Sequence, residues 1–95
     1  MRDTSDIVSF DIVYGAPMTD HLSAIGSRAA RGILEWSVRD LCREAGVSPN
    51  TVGRLESGSG IGPDPTARIA RAFADHGVEL LGDGKPGARL IRSER

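Results

Sequence analysis

Between residues 21 and 77 apolar side chains recur every three or four positions, the period of a helix with one face turned inward. Leu22, Ile25, Ala29, Ile33 and Trp36 form the first such stripe. With Asp20 as N-cap they predict a helix of about four turns. A second, short stripe runs through Val38, Leu41, Cys42 and Ala45. Ser37 caps it, Asp40 stands three residues on as an acidic form of the capping box, and Gly46 closes it. A third helix starts from Ser48 as cap with Pro49 in its first turn, turns Val52 and Leu55 inward, and fails at Ser57-Gly58-Ser59-Gly60. Asp64-Pro65 opens a fourth, with Ala67, Ile69, Ala70 and Phe73 inside and Gly77 at its end; Ile61 packs down from the loop before it.

The two ends of the chain are patterned differently. Residues 7–14, Ile-Val-Ser-Phe-Asp-Ile-Val-Tyr, are rich in β-branched and aromatic types and stop at Gly15-Ala16-Pro17, which predicts a short strand or ordered arm. The runs 78–81 and 88–91 flank Gly82-Asp-Gly-Lys-Pro-Gly87 and predict a β-hairpin. The expected fold is mainly α, with four to five helices and a small β addition. Residues 1–20 form an N-terminal arm, 21–77 the helical domain and 78–95 the C-terminal hairpin.

Composition narrows this further. A chain of 95 residues builds one modest core, and with Trp36, Tyr14, Phe10 and Phe73 as the whole aromatic set, Leu, Ile, Val and Ala must fill it. The single cysteine, Cys42, excludes an internal disulfide and reads as a buried structural thiol. No apolar stretch approaches the roughly 20 residues that cross a bilayer. The acidic start lacks a basic-then-apolar signal, so the expected location is the cytoplasm, with no membrane partner.

Net charge is −1, which argues against a nucleic-acid partner until its distribution is considered. Residues 1–20 carry four acidic side chains against one basic. Residues 21–54 carry Arg28, Arg31, Arg39, Arg43 and Arg54 against Glu35, Asp40 and Glu44. Acid dominates again from 55 to 84, and base from 85 to 95, so basic charge gathers in two segments.

No Ser/His/Asp or paired-carboxylate arrangement stands out. His21 and His76 lack a partner pattern, and Lys85 in the Gly-rich turn is followed by Pro86 rather than Ser or Thr. The expectation is a non-enzyme with no metal and no cofactor.

The informative stretch is Trp36 to Gly58. Two short helices joined by a tight Gly-containing turn cross at a large angle, leaving the second free to enter a major groove about 12 Å wide. On that second helix Ser48, Asn50, Thr51 and Arg54 all avoid the Val52/Leu55 side.

The frame Leu41…Ala45-Gly46-Val47-Ser48…Val52…Leu55-Glu56…Gly58, preceded by Arg28…Arg31…Leu34…Trp36-Ser37, resembles the Xre family of phage-repressor and Cro-like helix-turn-helix regulators. The resemblance covers residues 21–77, and the tail looks like the hairpin ending of many short bacterial members. It implies a repressor-like helix-turn-helix domain whose second helix reads bases through Ser48, Pro49, Asn50, Gly53 and Arg54. In that frame Arg54 suits guanine, Asn50 adenine and Pro49 a thymine methyl. Ser37, with Arg39, Arg43 and Thr51, falls to the phosphates. Arg31 and Glu56 match positions that pair across the core.

Two departures keep a second reading open. Val38 stands where the family often has Gln, and Gly53 removes a side chain from the reading face. The first expectation is sequence-specific double-stranded DNA binding for transcriptional regulation, as a repressor or autoregulator at a palindromic operator. The alternative is a protein-interaction module, antiactivator or antitoxin-like, that retains the same shell. A palindrome implies a homodimer, expected to assemble through Val8, Phe10 and Ile12 of the arm with Leu80, Leu90 and Ile91 of the hairpin; the alternative is arm and hairpin closing into one sheet within a monomer.

Overall fold

The computed structural model describes residues 21–82 and 84–92. The expected arm at 1–20, with Asp20 as a cap, lies outside the described residues. Those described form four helices and a two-stranded antiparallel sheet: α1 (Ala24–Leu34), α2 (Val38–Ala45), α3 (Pro49–Glu56), α4 (Pro63–Asp75), β1 (Val78–Leu81) and β2 (Gly87–Leu90).

The caps account for α2 and α3. Ser37 Oγ accepts from the Asp40 N–H at 3.0 Å while Asp40 Oδ2 accepts from the Ser37 N–H at 2.9 Å, so both orphan donors of the first turn are satisfied. Gly46 takes φ 72, open to a residue without Cβ, and ends α2. Ser48 Oγ accepts from the Thr51 N–H and Pro49 occupies the first turn of α3.

The first helix departs from expectation at both ends and on its face. It starts behind Ser23, whose hydroxyl accepts from the Gly26 N–H, and ends in Glu35 at φ 59. No glycine marks that stop, so the apolar period runs past it to Trp36. The buried residues are Gly26, Ser27 and Ala30, whereas Ile25 is 52% exposed. Close approach of the hairpin explains the choice of small residues. A methyl on Gly26 would stand 3.3 Å from the Gly87 carbonyl oxygen and 3.6 Å from Leu80. Larger side chains of the expected stripe, Leu22 and Ile33, pack only at the rim of the core.

The fourth helix begins at Pro63 behind Gly62, slightly before Asp64-Pro65. Ile69, Ala70, Ala72 and Phe73 are buried; Ala67, expected inside, is exposed. Gly77 at φ 82 turns the chain into the hairpin. Val78 pairs with Leu90, Glu79 with Arg89, Leu80 with Ala88 and Leu81 with Gly87. The second strand thus runs one residue earlier than the expected 88–91, and Ile91 follows it, donating its N–H to the Gly77 carbonyl at 2.8 Å.

One core of Leu41, Val52, Leu55, Ile69, Phe73, Val78 and Leu80 joins α2, α3, α4 and β1. Trp36 packs against it, stacked on Phe73 with ring centroids 5.9 Å apart. Leu80 is therefore spent inside its own chain, not left for a second copy, while Leu90 and Ile91 stay exposed. Cys42 is buried, and burial pushes its thiol pKa up, which leaves it unreactive.

Candidate functional site

The inner side of α3 is fixed by packing and by charge. Val52 and Leu55 are buried. One turn on, the Glu56 carboxylate accepts from Arg31 Nε at 2.9 Å and from Arg31 Nη2 at 2.8 Å, a two-pronged contact that matches a planar guanidinium to a planar carboxylate. Ser27, fully buried on α1, donates its hydroxyl to Glu56 Oε2 at 2.6 Å. Arg31 reaches further to the Trp36 carbonyl at 3.2 Å, and Arg28 donates to the Glu56 carbonyl.

Burial by itself raises the carboxyl of Glu56, but the hydrogen bonds from Arg31 and Ser27 outweigh it and hold the pKa below its ordinary value. The same hydrogen bond raises Arg31. The two are not solvated charges but a shielded network tying α1 to α3. Ser27 is the member that sequence reasoning missed. Its only signal is a hydroxyl four residues before Arg31, on the same helix face.

The opposite side of α3 is bare. Pro49, Asn50, Gly53 and Arg54 are all exposed, and their spacing of three and four places them on one strip. A methyl added to Gly53 would meet nothing within 4 Å. Among the described residues no ion pair engages Arg54. Ser48 and Thr51 sit at the start of the strip with hydroxyls 3.0 Å apart, both committed in part to the helix cap. Beyond the strip, Thr51 and Arg54 join Ser59, Gly60, Ile61, Gly62 and Pro65 around an open hollow of about 500 Å³.

The candidate phosphate residues on α2 are divided. Ser37 is exposed and holds the α2 cap, so its oxygen is in use as an acceptor while its proton remains to donate. Arg39 is exposed. Arg43 is bound to Asp40 at 2.7 Å, which places a carboxylate beside Ser37. Hydrogen bonds to Asp40 from the Ser37 backbone and from Arg43 lower its pKa and favour the charged carboxylate. Val38 is half-buried and turned toward the core.

Of the two histidines set aside on sequence, His76 has partners after all: Glu44 at 3.2 Å and the edge of Trp36 at a centroid distance of 4.8 Å. It joins the end of α4 to α2. No family model, no curated protein and no solved structure matches this chain.

Proposed function

We propose that the chain is a helix-turn-helix DNA-binding regulator of the Xre kind, with α2 and α3 as the paired helices and α3 as the reader. The carrying observation is the division of α3: one side is locked by Val52, Leu55 and Glu56, while Pro49, Asn50, Gly53 and Arg54 on the other are exposed among the described residues. A short rigid helix presenting an unengaged Arg and Asn one turn apart suits bidentate contact with guanine and adenine edges. Ser37 and Arg39 on α2, with Thr51 at the head of α3, are the phosphate contacts, with Arg43 contributing once Asp40 releases it.

One such helix reads only a few base pairs, too few to single out a site among roughly 10⁶ or more competitors. The operator in this proposal is therefore a palindrome and the working species a cytoplasmic homodimer, with half-sites about 34 Å apart. Repression, including of its own promoter, is the regulatory outcome of this reading, since a dimer bound over a promoter blocks access to it.

A pool of random duplexes selected on the protein, followed by gel-shift titration at several salt concentrations, tests this. The expected result is an enriched palindrome bound at least about 10³-fold more tightly than bulk duplex. No enrichment, with the helices folded, would reject it. The second reading, a protein-binding module, is favoured by one observation: Asp40 neutralises Arg43 and sets a carboxylate where phosphate must approach. Loss of all duplex binding together with retained folding is the outcome that turns the case to that reading.

A further inference from the structure

The hairpin has one edge that nothing among the described residues covers. Among the described residues the sheet has two strands, and β2 has no second neighbour there. Because Ile91 donates to Gly77, the alternation of an antiparallel ladder turns the N–H and C=O groups of Leu90 and Ala88 away from β1, toward that open edge. Leu90 shares a sheet face with its partner Val78, yet Val78 is fully buried and Leu90 is 46% exposed. An open edge beside an apolar side chain is a site for strand addition.

We propose that residues 7–14 of the same chain fill this edge as a third antiparallel strand, with Phe10 opposite Leu90, Asp11 opposite Arg89 and Ile12 opposite Ala88. Three observations select this occupant. The first is where the described chain begins. The His21 ring lies against Gly82, so close that a methyl there would stand 2.6 Å from it, at the end of the hairpin where Leu81 pairs with Gly87. From that point the seven residues 14–20 span at most about 25 Å, enough to bring residue 13 beside Gly87 and send the strand back along β2.

The second is alternation. Phe10 and Ile12 fall on one face of such a strand and Ser9 and Asp11 on the other, as Leu90 and Ala88 alternate with Ile91 and Arg89. In this register the apolar pair meets Leu90 and Ala88 on the side that faces α1. The third is charge. Arg89 on the outer face bonds Glu79 of β1, and Asp11 approaches it from the other side, giving one cation between two carboxylates across three strands. The acidic segment 1–20 thus meets the basic segment 85–92. This strand pairing does not depend on DNA binding.

A paired substitution tests it in the full chain. Asp11→Cys with Arg89→Cys sets two thiols on directly opposed positions, within the Cα separation of about 4.4–6.8 Å that a disulfide accepts. Oxidation is expected to give an intrachain bond, read by mass as a crosslinked monomer. The offset pair Ile12→Cys with Arg89→Cys, whose thiols fall on opposite faces, is expected to stay reduced. A crosslinked dimer in place of the monomer would overturn the proposal and assign the edge to the arm of a second copy. Equal crosslinking of both pairs, or none in a protein with unchanged helical signal, would also overturn it. Amide exchange gives a second readout: the Leu90 N–H should be protected in the full chain and exchange at least tenfold faster after deletion of residues 1–16.

Discussion

Along one side of α3, Val52 and Leu55 are sealed in the core and Glu56 is held by three side-chain hydrogen bonds from α1; along the other, Pro49, Asn50, Gly53 and Arg54 are exposed, and among the described residues no ion pair engages Arg54. Eight residues therefore divide into a side chosen by folding and a side free of it. A polar side chain turned inward is expensive unless every polar atom finds a partner, and Glu56 has them. A polar side chain left outside costs the fold nothing, so its identity is open to selection for something else. Substitutions on the inner side should change stability, and those on the outer side should change binding.

The largest effect is expected at the inner side. Glu56→Ala strands Arg31 and the buried Ser27 hydroxyl without their acceptor, and should cost about 3–5 kcal/mol, much of the stability of a domain this small. Thermal melts of Glu56→Ala, Arg31→Met and the double variant measure the coupling; small additive losses would break the comparison. The same pair sets an acid limit. Glu56 titrates below its ordinary value of 4.5, so its contribution is full above that pH and fades as pH falls through the lower folded value. Glu56→Gln, already destabilised at neutral pH, should lose less on acidification than the unsubstituted chain.

Next in size, Arg54→Ala should leave the melt unchanged and remove about 1–3 kcal/mol of affinity for a selected duplex, relaxing preference at one base pair. Arg39→Ala is expected to weaken all sequences alike and flatten the salt dependence. A selected site bound as tightly by Arg54→Ala as before would mean that the bare side of α3 is not the reader.

The smallest expected effect sharpens the boundary between the two sides. Gly53 lies in mid-helix with open space where a Cβ would stand, so Gly53→Ala should raise stability by about 1 kcal/mol, measured by urea unfolding. A gain in stability accompanied by a loss of affinity would put the ligand within contact of that backbone.

The α2–α3 pair was legible because its determinants are local. Ser37, Asp40, Gly46, Ser48 and Pro49 each act within a few residues of themselves, through a cap, a left-handed stop or a preset φ. The apolar period of both helices is short and unambiguous. The exposed strip on α3 follows from the same period, as the complement of Val52 and Leu55.

The first helix is not legible in the same way, because its determinants are distant. Its inward face is built from Gly26, Ser27 and Ala30, and hydrophobicity alone points to Ile25 and Ile33 instead. At Gly26 the approach of Gly87 and Leu80 leaves little room for a side chain, and those residues lie more than fifty positions away from it. The Ser27 hydroxyl, the Glu44–His76 contact and the burial of Leu80 belong to the same class. The sequence by itself determined where α2 and α3 start and stop, and which positions of α3 face out. The tertiary structure alone decided which face of α1 is inside and how the hairpin closes on it. Close packing between distant segments rewards fit and hydrogen bonding, and neither is written in the local period of apolar residues.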